Sequence, residues 1–116
     1  DIFFITLNKN EKDYSPTTMY KDYALNEDLF HWQSQSSTAI RSTTGQRYIN
    51  QKANGTTVLL FVRENKTING LTQPYYYLGP VDYVSHEGER PINIIWKLRY
   101  PMPASILRVT KRLDIG

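Results

Sequence analysis

The chain has 116 residues, 40% of them hydrophobic and 13% aromatic, and a formal net charge of +3; that is enough for one folded domain around a single core and too apolar for a disordered chain. It contains no cysteine, which excludes a disulfide framework and any cysteine-ligated metal, and no apolar run approaches the roughly 20 residues of a membrane helix. Charge is unevenly placed: residues 1–30 carry three lysines against six carboxylates, and residues 31–116 carry eleven basic groups against five acidic ones. A basic stretch of this kind suits a nucleic-acid partner, although many unrelated domains share it.

In chain order, "IFFITL" (2–7) is apolar on both faces and reads as a central strand. It starts next to Asp1 with no initiator methionine and no signal-peptide pattern, so the chain is expected to be a fragment of something longer. Residues 8–23 are polar, with Ser15-Pro16 marking a turn or loop. "ALNEDLFHW" predicts a short turn at Asn26 feeding a strand over 29–35. Residues 36–46, "SSTAIRSTTGQ", read as a flexible loop of hydroxyls, and "QRYINQKANG" as one helical turn before Asn54-Gly55. "TTVLLFVRE" (56–64) is the clearest strand. Asn69-Gly70 is a tight-hairpin dipeptide. A long strand over 74–86 is interrupted at Gly79-Pro80, where a bulge or bend is expected. "INIIWKLRY" (92–100) alternates Ile92, Ile94, Trp96 and Leu98 with polar residues, and Pro103 opens a basic amphipathic helix. About five strands with one or two short helices predict a mostly β, α+β domain over 1–116, folded as a small curled or closed mixed barrel.

No catalytic constellation emerges. His31 and His86 lie in different elements without ligand spacing, and no glycine-rich phosphate loop is present. The expectation is therefore a non-enzymatic domain without a cofactor or metal. The stretch "LFHWQSQSST" (29–38) carries more: Trp32 is followed by amides and hydroxyls with no charge among them. An aromatic face stacks on any base, and uncharged donors and acceptors read base edges. The same residues also fit a plain role, with Trp32 beside Phe30 in the core and the glutamines solvated. "YYY" (75–77) must divide between two faces of a strand, whereas Trp96 shares its face with three aliphatic residues and reads as core. Arg41, Arg47 and Arg63 flank the polar loop or the strand after it, where a guanidinium can fork onto phosphate.

Several stretches in order, "LNKNEKDYSPTTMYKDYALNEDLFHWQSQSST", "TGQRYIN", "LLFVRE", "PYYYLGPVDYVSHEGERPINIIWKL" and "PMPA", resemble the C-terminal domain of unknown function of large bacterial superfamily II helicases, often preceded by a phospholipase-D-like nuclease domain. The resemblance spans nearly the whole chain. It implies a fold akin to the SRA and PUA-like barrels and a role in modification-dependent restriction, sensing methylated cytosine in double-stranded DNA. Its implied location is the cytoplasm, and its implied partners are the helicase and nuclease parts of the same chain. A barrel of this type extrudes a nucleotide and holds it between aromatic faces. On that reading Trp32 and one of Tyr75, Tyr77 or Tyr83 are the walls. Gln33, Gln35 and Ser36 read the base edge, and Arg41, Thr44 and Arg47 grip the backbone or fill the gap in the duplex. The competing expectation is a docking domain that holds helicase and nuclease in register; a free-standing enzyme has the least support.

Overall fold

The computed structural model describes residues 1–7 and 22–111. The polar segment 8–21 and the last five residues lie outside the described set. The fold is mostly β with two short helices. Six strands form one mixed sheet: β1 (Ile2–Thr6), β2 (Tyr23–Ala24), β3 (Leu29–Gln33), β4 (Val58–Arg63), β7 (Tyr76–Glu87) and β8 (Asn93–Leu98). A separate two-stranded hairpin is made by β5 (Thr67–Ile68) and β6 (Leu71–Thr72). The helices are α1 (Thr43–Ile49) and α2 (Ala104–Lys111). The five longer strands fall where the sequence predicts them. Among the described residues no helix is long and apolar enough to cross a membrane.

The order across the large sheet is β1-β4-β7-β8-β3-β2, with β1 parallel to β4 and the remaining pairs antiparallel. Four strand spacings separate β1 from β3, which in a flat sheet is roughly 19 Å. The rings of Phe3 on β1 and Trp32 on β3 are nonetheless stacked, with centroids 4.4 Å apart. The sheet therefore curls into a half-barrel, and an aromatic contact closes its inner face. Tyr48 of α1 stands edge-on to both rings at 5.6 and 5.1 Å, so the helix roofs the opening.

Strand alternation sets the inner face. Phe3 and Ile5, then Val58, Leu60 and Val62, then Ile92, Ile94, Trp96 and Leu98 are all buried together with Phe30. The alternation expected for 92–98 is observed in full, and Trp96 is core. The long strand β7 serves both neighbours by bulging twice. Leu78 is the extra residue opposite Leu60 and Phe61, beside Gly79 at a φ of 92°, and Val84 is the extra residue before Ser85. The interruption predicted at Gly79-Pro80 is thus a real bulge. The tight hairpin predicted at Asn69-Gly70 also forms, both residues taking positive φ as a type I′ turn demands.

Two readings need correction. "IFFITL" forms the edge of the sheet among the described residues, and its second apolar face is open, with Phe4 58% exposed. An unbroken apolar run marks a strand but does not say what covers each face. The loop predicted over 36–46 ends early, because α1 begins at Thr43. Ser42 caps it by accepting from Gly45 N–H at 2.9 Å. Thr43, Thr44 and Gly45 are poor helix formers, which hides the start. The helix also needs Gly45, since a Cβ there would lie 2.2 Å from the carbonyl oxygen of Ala39.

Candidate functional site

The ten residues singled out from the sequence fall into five places. Trp32 and Tyr83 share the inner face, both edge-on to the buried Trp96, at 6.4 and 6.3 Å. Trp32 is half-buried and packs on the core, and Phe3 covers one of its ring faces. Both readings offered for Trp32 therefore meet in one side chain: it is part of the core cluster, and one face at most is left for a ligand. Trp32, Ile94 and His86 form one cross-strand row, and the Tyr83 hydroxyl shares a 2.6 Å hydrogen bond with His86 Nδ1. Burial pushes the Tyr83 phenol above its ordinary pKa, so it stays protonated.

Gln33 lies on the other side of β3, because neighbours on a strand point to opposite faces. Its amide donates to Asn93 Oδ1 at 2.7 Å. Gln35 and Ser36 are exposed in a turn closed by Thr38 N–H to the Gln35 carbonyl at 2.9 Å. Arg41 is exposed just before α1. The segment is anchored rather than loose. Thr38 carbonyl accepts from Arg90 N–H at 2.8 Å, Ile40 N–H donates to Glu89 Oε2 at 3.0 Å, and Ile92 N–H donates to Ser34 Oγ at 2.8 Å. The β3–α1 and β7–β8 loops therefore form one unit that exposes Gln35, Ser36, Arg41 and Arg90 at one end of the half-barrel.

Thr44 and Arg47 stand on α1, not on a loop. Arg47 is engaged with Asp1 at 2.8 Å and lies 5.4 Å from the ring of Tyr48. An exposed ion pair is worth little, and a phosphate could replace the carboxylate at small cost.

Tyr75 and Tyr77 are elsewhere, on the outer face of the sheet, so they cannot share a pocket with Trp32. Phe4, Phe61 and Tyr77 form a cross-strand row: Phe4 stacks on Phe61 at 5.0 Å, and Phe61 meets Tyr77 at 4.8 Å with the planes tilted by 36°. Tyr75 packs edge-on to Phe4 at 5.1 Å and carries the Arg63 guanidinium 4.2 Å over its ring. The reading of the sequence missed Phe4 and Phe61 as surface residues. The available signal was that Phe3 and Phe4, as strand neighbours, cannot face the same way.

A cleft of about 310 Å³ lies at the far end, between the end of β4 and α2, with Val62, Tyr76, Ile106 and Val109 on its walls and Asn65 and Gln73 at its polar rim. Among the described residues no group of three or more histidines and carboxylates is placed to hold a metal.

A search of curated proteins finds no match to the chain. The family model described as a domain of unknown function, DUF3427, matches residues 2–109, which includes every residue of the inner cluster, the loop unit and the outer face. The chain belongs to the DUF3427 family.

Proposed function

We propose that this domain is a DNA-binding specificity module of a bacterial helicase–nuclease restriction-type protein. It works in the cytoplasm, reads methylated cytosine in double-stranded DNA, and has no catalysis of its own. The observation that carries this reading is the loop unit. It presents two exposed arginines and one carboxylate, Glu89, which is held by Ile40 N–H, together with uncharged amide and hydroxyl groups, directly beyond the strand ends that hold Trp32, Tyr83 and His86. Arginine and hydroxyl groups hold phosphates, and amides read base edges. Extruding a base costs a few kcal/mol, which stacking and phosphate contacts must offset. Here the candidate stacking groups are Trp32, one ring face of which Phe3 covers, and Tyr83.

The test is fluorescence anisotropy of the chain with matched duplexes containing cytosine, methylcytosine or hydroxymethylcytosine, at two salt concentrations. A preference of more than about tenfold, or ~1.4 kcal/mol, for a modified duplex is expected. Binding that ignores modification and collapses with salt would reduce the domain to a non-specific clamp. Gln35→Ala and Arg41→Ala are the informative variants, because both side chains are exposed. Trp32→Ala removes a ring stacked on Phe3 and would confound recognition with folding.

A further inference from the structure

The outer face of β1 and β4 has no part in the reading above. Its row of three rings runs from Phe4, 58% exposed with Tyr75 edge-on to it, to Tyr77, 56% exposed and tilted against Phe61. The outward positions of β1 and β4 carry no carboxylate; their single charged group is Arg63. That guanidinium sits 4.2 Å over the Tyr75 ring, donating from Nε to Thr6 Oγ1 at 2.9 Å and from Nη1 to the Gln73 carbonyl at 3.1 Å. A guanidinium has five N–H donors, and these bonds to described residues use two of them.

We infer that this face binds single-stranded nucleic acid, whose unpaired bases extend the Phe4–Phe61–Tyr77 row while Arg63 holds a phosphate. Charge and ring chemistry choose the occupant. A fixed cation beside aromatic rings, with no acidic neighbour on the two strands, complements a polyanion of flat bases. A duplex keeps its base faces inside its own stack, so only an unpaired strand offers faces to these rings. Stacking on aromatic side chains is indifferent to base identity, so this face adds affinity without sequence choice. It is independent of the loop unit, which lies at one end of the inner face.

The experiment titrates the chain with a fluorescein-labelled oligothymidylate of about 12 nucleotides, a length within the site sizes of strand-binding folds, alongside the duplexes named above. Phe4→Leu/Tyr77→Leu keeps apolar bulk but removes the two terminal π faces, and its urea midpoint verifies folding. The expected result is at least about a tenfold loss of strand affinity in this variant, with duplex binding unchanged. Arg63→Gln is expected to lower the slope of log affinity against log salt by about 0.7, the value for one phosphate contact on a single strand. No strand binding by the wild-type chain, or equal binding by the folded double variant, would overturn the inference. So would self-association that Phe4→Leu abolishes without any strand binding, because it would give the face to a second copy. Loss of methylation preference with strand binding intact would instead remove only the duplex reading.

Discussion

Phe3 and Phe4 are chain neighbours on one strand, yet one is 8% exposed and the other 58%. Phe3 touches Trp32, Tyr48 and Trp96 inside the curl, and Phe4 touches Phe61 and Tyr75 outside it. The inner ring has a folding reason to be aromatic, since it joins two strands that the sheet order keeps apart. The outer ring has a much weaker one, because its neighbours are already hydrogen-bonded through the ladder. Aromatic residues kept on a surface without a packing need point to something that lands there. Truncating the two rings in turn tests this contrast most directly. Phe3→Ala should cost ~3–5 kcal/mol, whereas Phe4→Ala should cost no more than about 1 kcal/mol, the scale of a cross-strand pair. Urea midpoints at constant slope measure both, and equal losses would make the outer face structural and end the distinction.

A polar group sharpens the same contrast. Gln51 is buried on the inner side, 2% exposed, where its amide donates to the Thr56 carbonyl and its oxygen accepts from Tyr83 N–H at 3.0 Å. It ties the turn after α1 to β7 beside the second bulge. Gln51→Ala takes the partner from both part-buried backbone groups, and a loss of ~1–3 kcal/mol is expected. Amide hydrogen exchange at Tyr83 gives a local readout: protection there should fall more than at Trp96.

The bulges decide which residues of β7 face in and which face out. Gly79 holds a φ of 92°, and a Cβ there would sit 3.2 Å from the ring of Tyr100. Gly79→Ala should therefore destabilise by roughly 1–2 kcal/mol, the cost of a left-handed conformation for an L-residue. Thermal unfolding measures it. A neutral result would mean that the bulge relaxes, and the inner and outer assignments of Tyr77 and Leu78 would then be negotiable.

Much of this arrangement was legible in the sequence, and the gaps have physical causes. The period of two in "INIIWKL" places four residues inward, and Asn69-Gly70 and Gly79-Pro80 announce their turns through backbone constraints that act locally. The polar run after Trp32 was legible as solvent-facing by its composition, and Gln35, Ser36 and Arg41 are exposed there. What local chemistry does not carry is curl. The sequence contains nothing near Trp32 to say that Phe3, from the other side of the sheet, will cover its ring. The wall offered as Tyr75, Tyr77 or Tyr83 divides because the bulge at Leu78 adds a residue and resets the alternation between Tyr77 and Tyr83. Gln33 cannot read the edge of a base held against Trp32, because adjacent positions on a strand point to opposite faces.

The smallest effect concerns charge on the solvent side. Arg99, just past the end of β8, donates to Asp82 of β7 through Nε at 3.1 Å and Nη2 at 3.0 Å, a two-pronged pair with both side chains partly exposed. The Arg99 hydrogen bonds hold the Asp82 carboxyl below its ordinary value of 3.8, against a smaller opposing push from burial. Because the folded pKa lies below the unfolded one, the pair's contribution is fully present above the ordinary carboxylate range. It fades as pH falls through the unfolded value toward the lowered one, where both states are protonated. Asp82→Asn should therefore narrow its stability gap to wild type as pH is lowered below about 4. Added salt at neutral pH should narrow it as well, since exposed pairs are screened. Gln51→Ala, buried and uncharged, should keep its deficit under both treatments. If the Asp82 gap proved as indifferent to acid and salt as the Gln51 gap, the pair would behave as a desolvated inner contact, and the boundary between the two faces would have to be drawn beyond it.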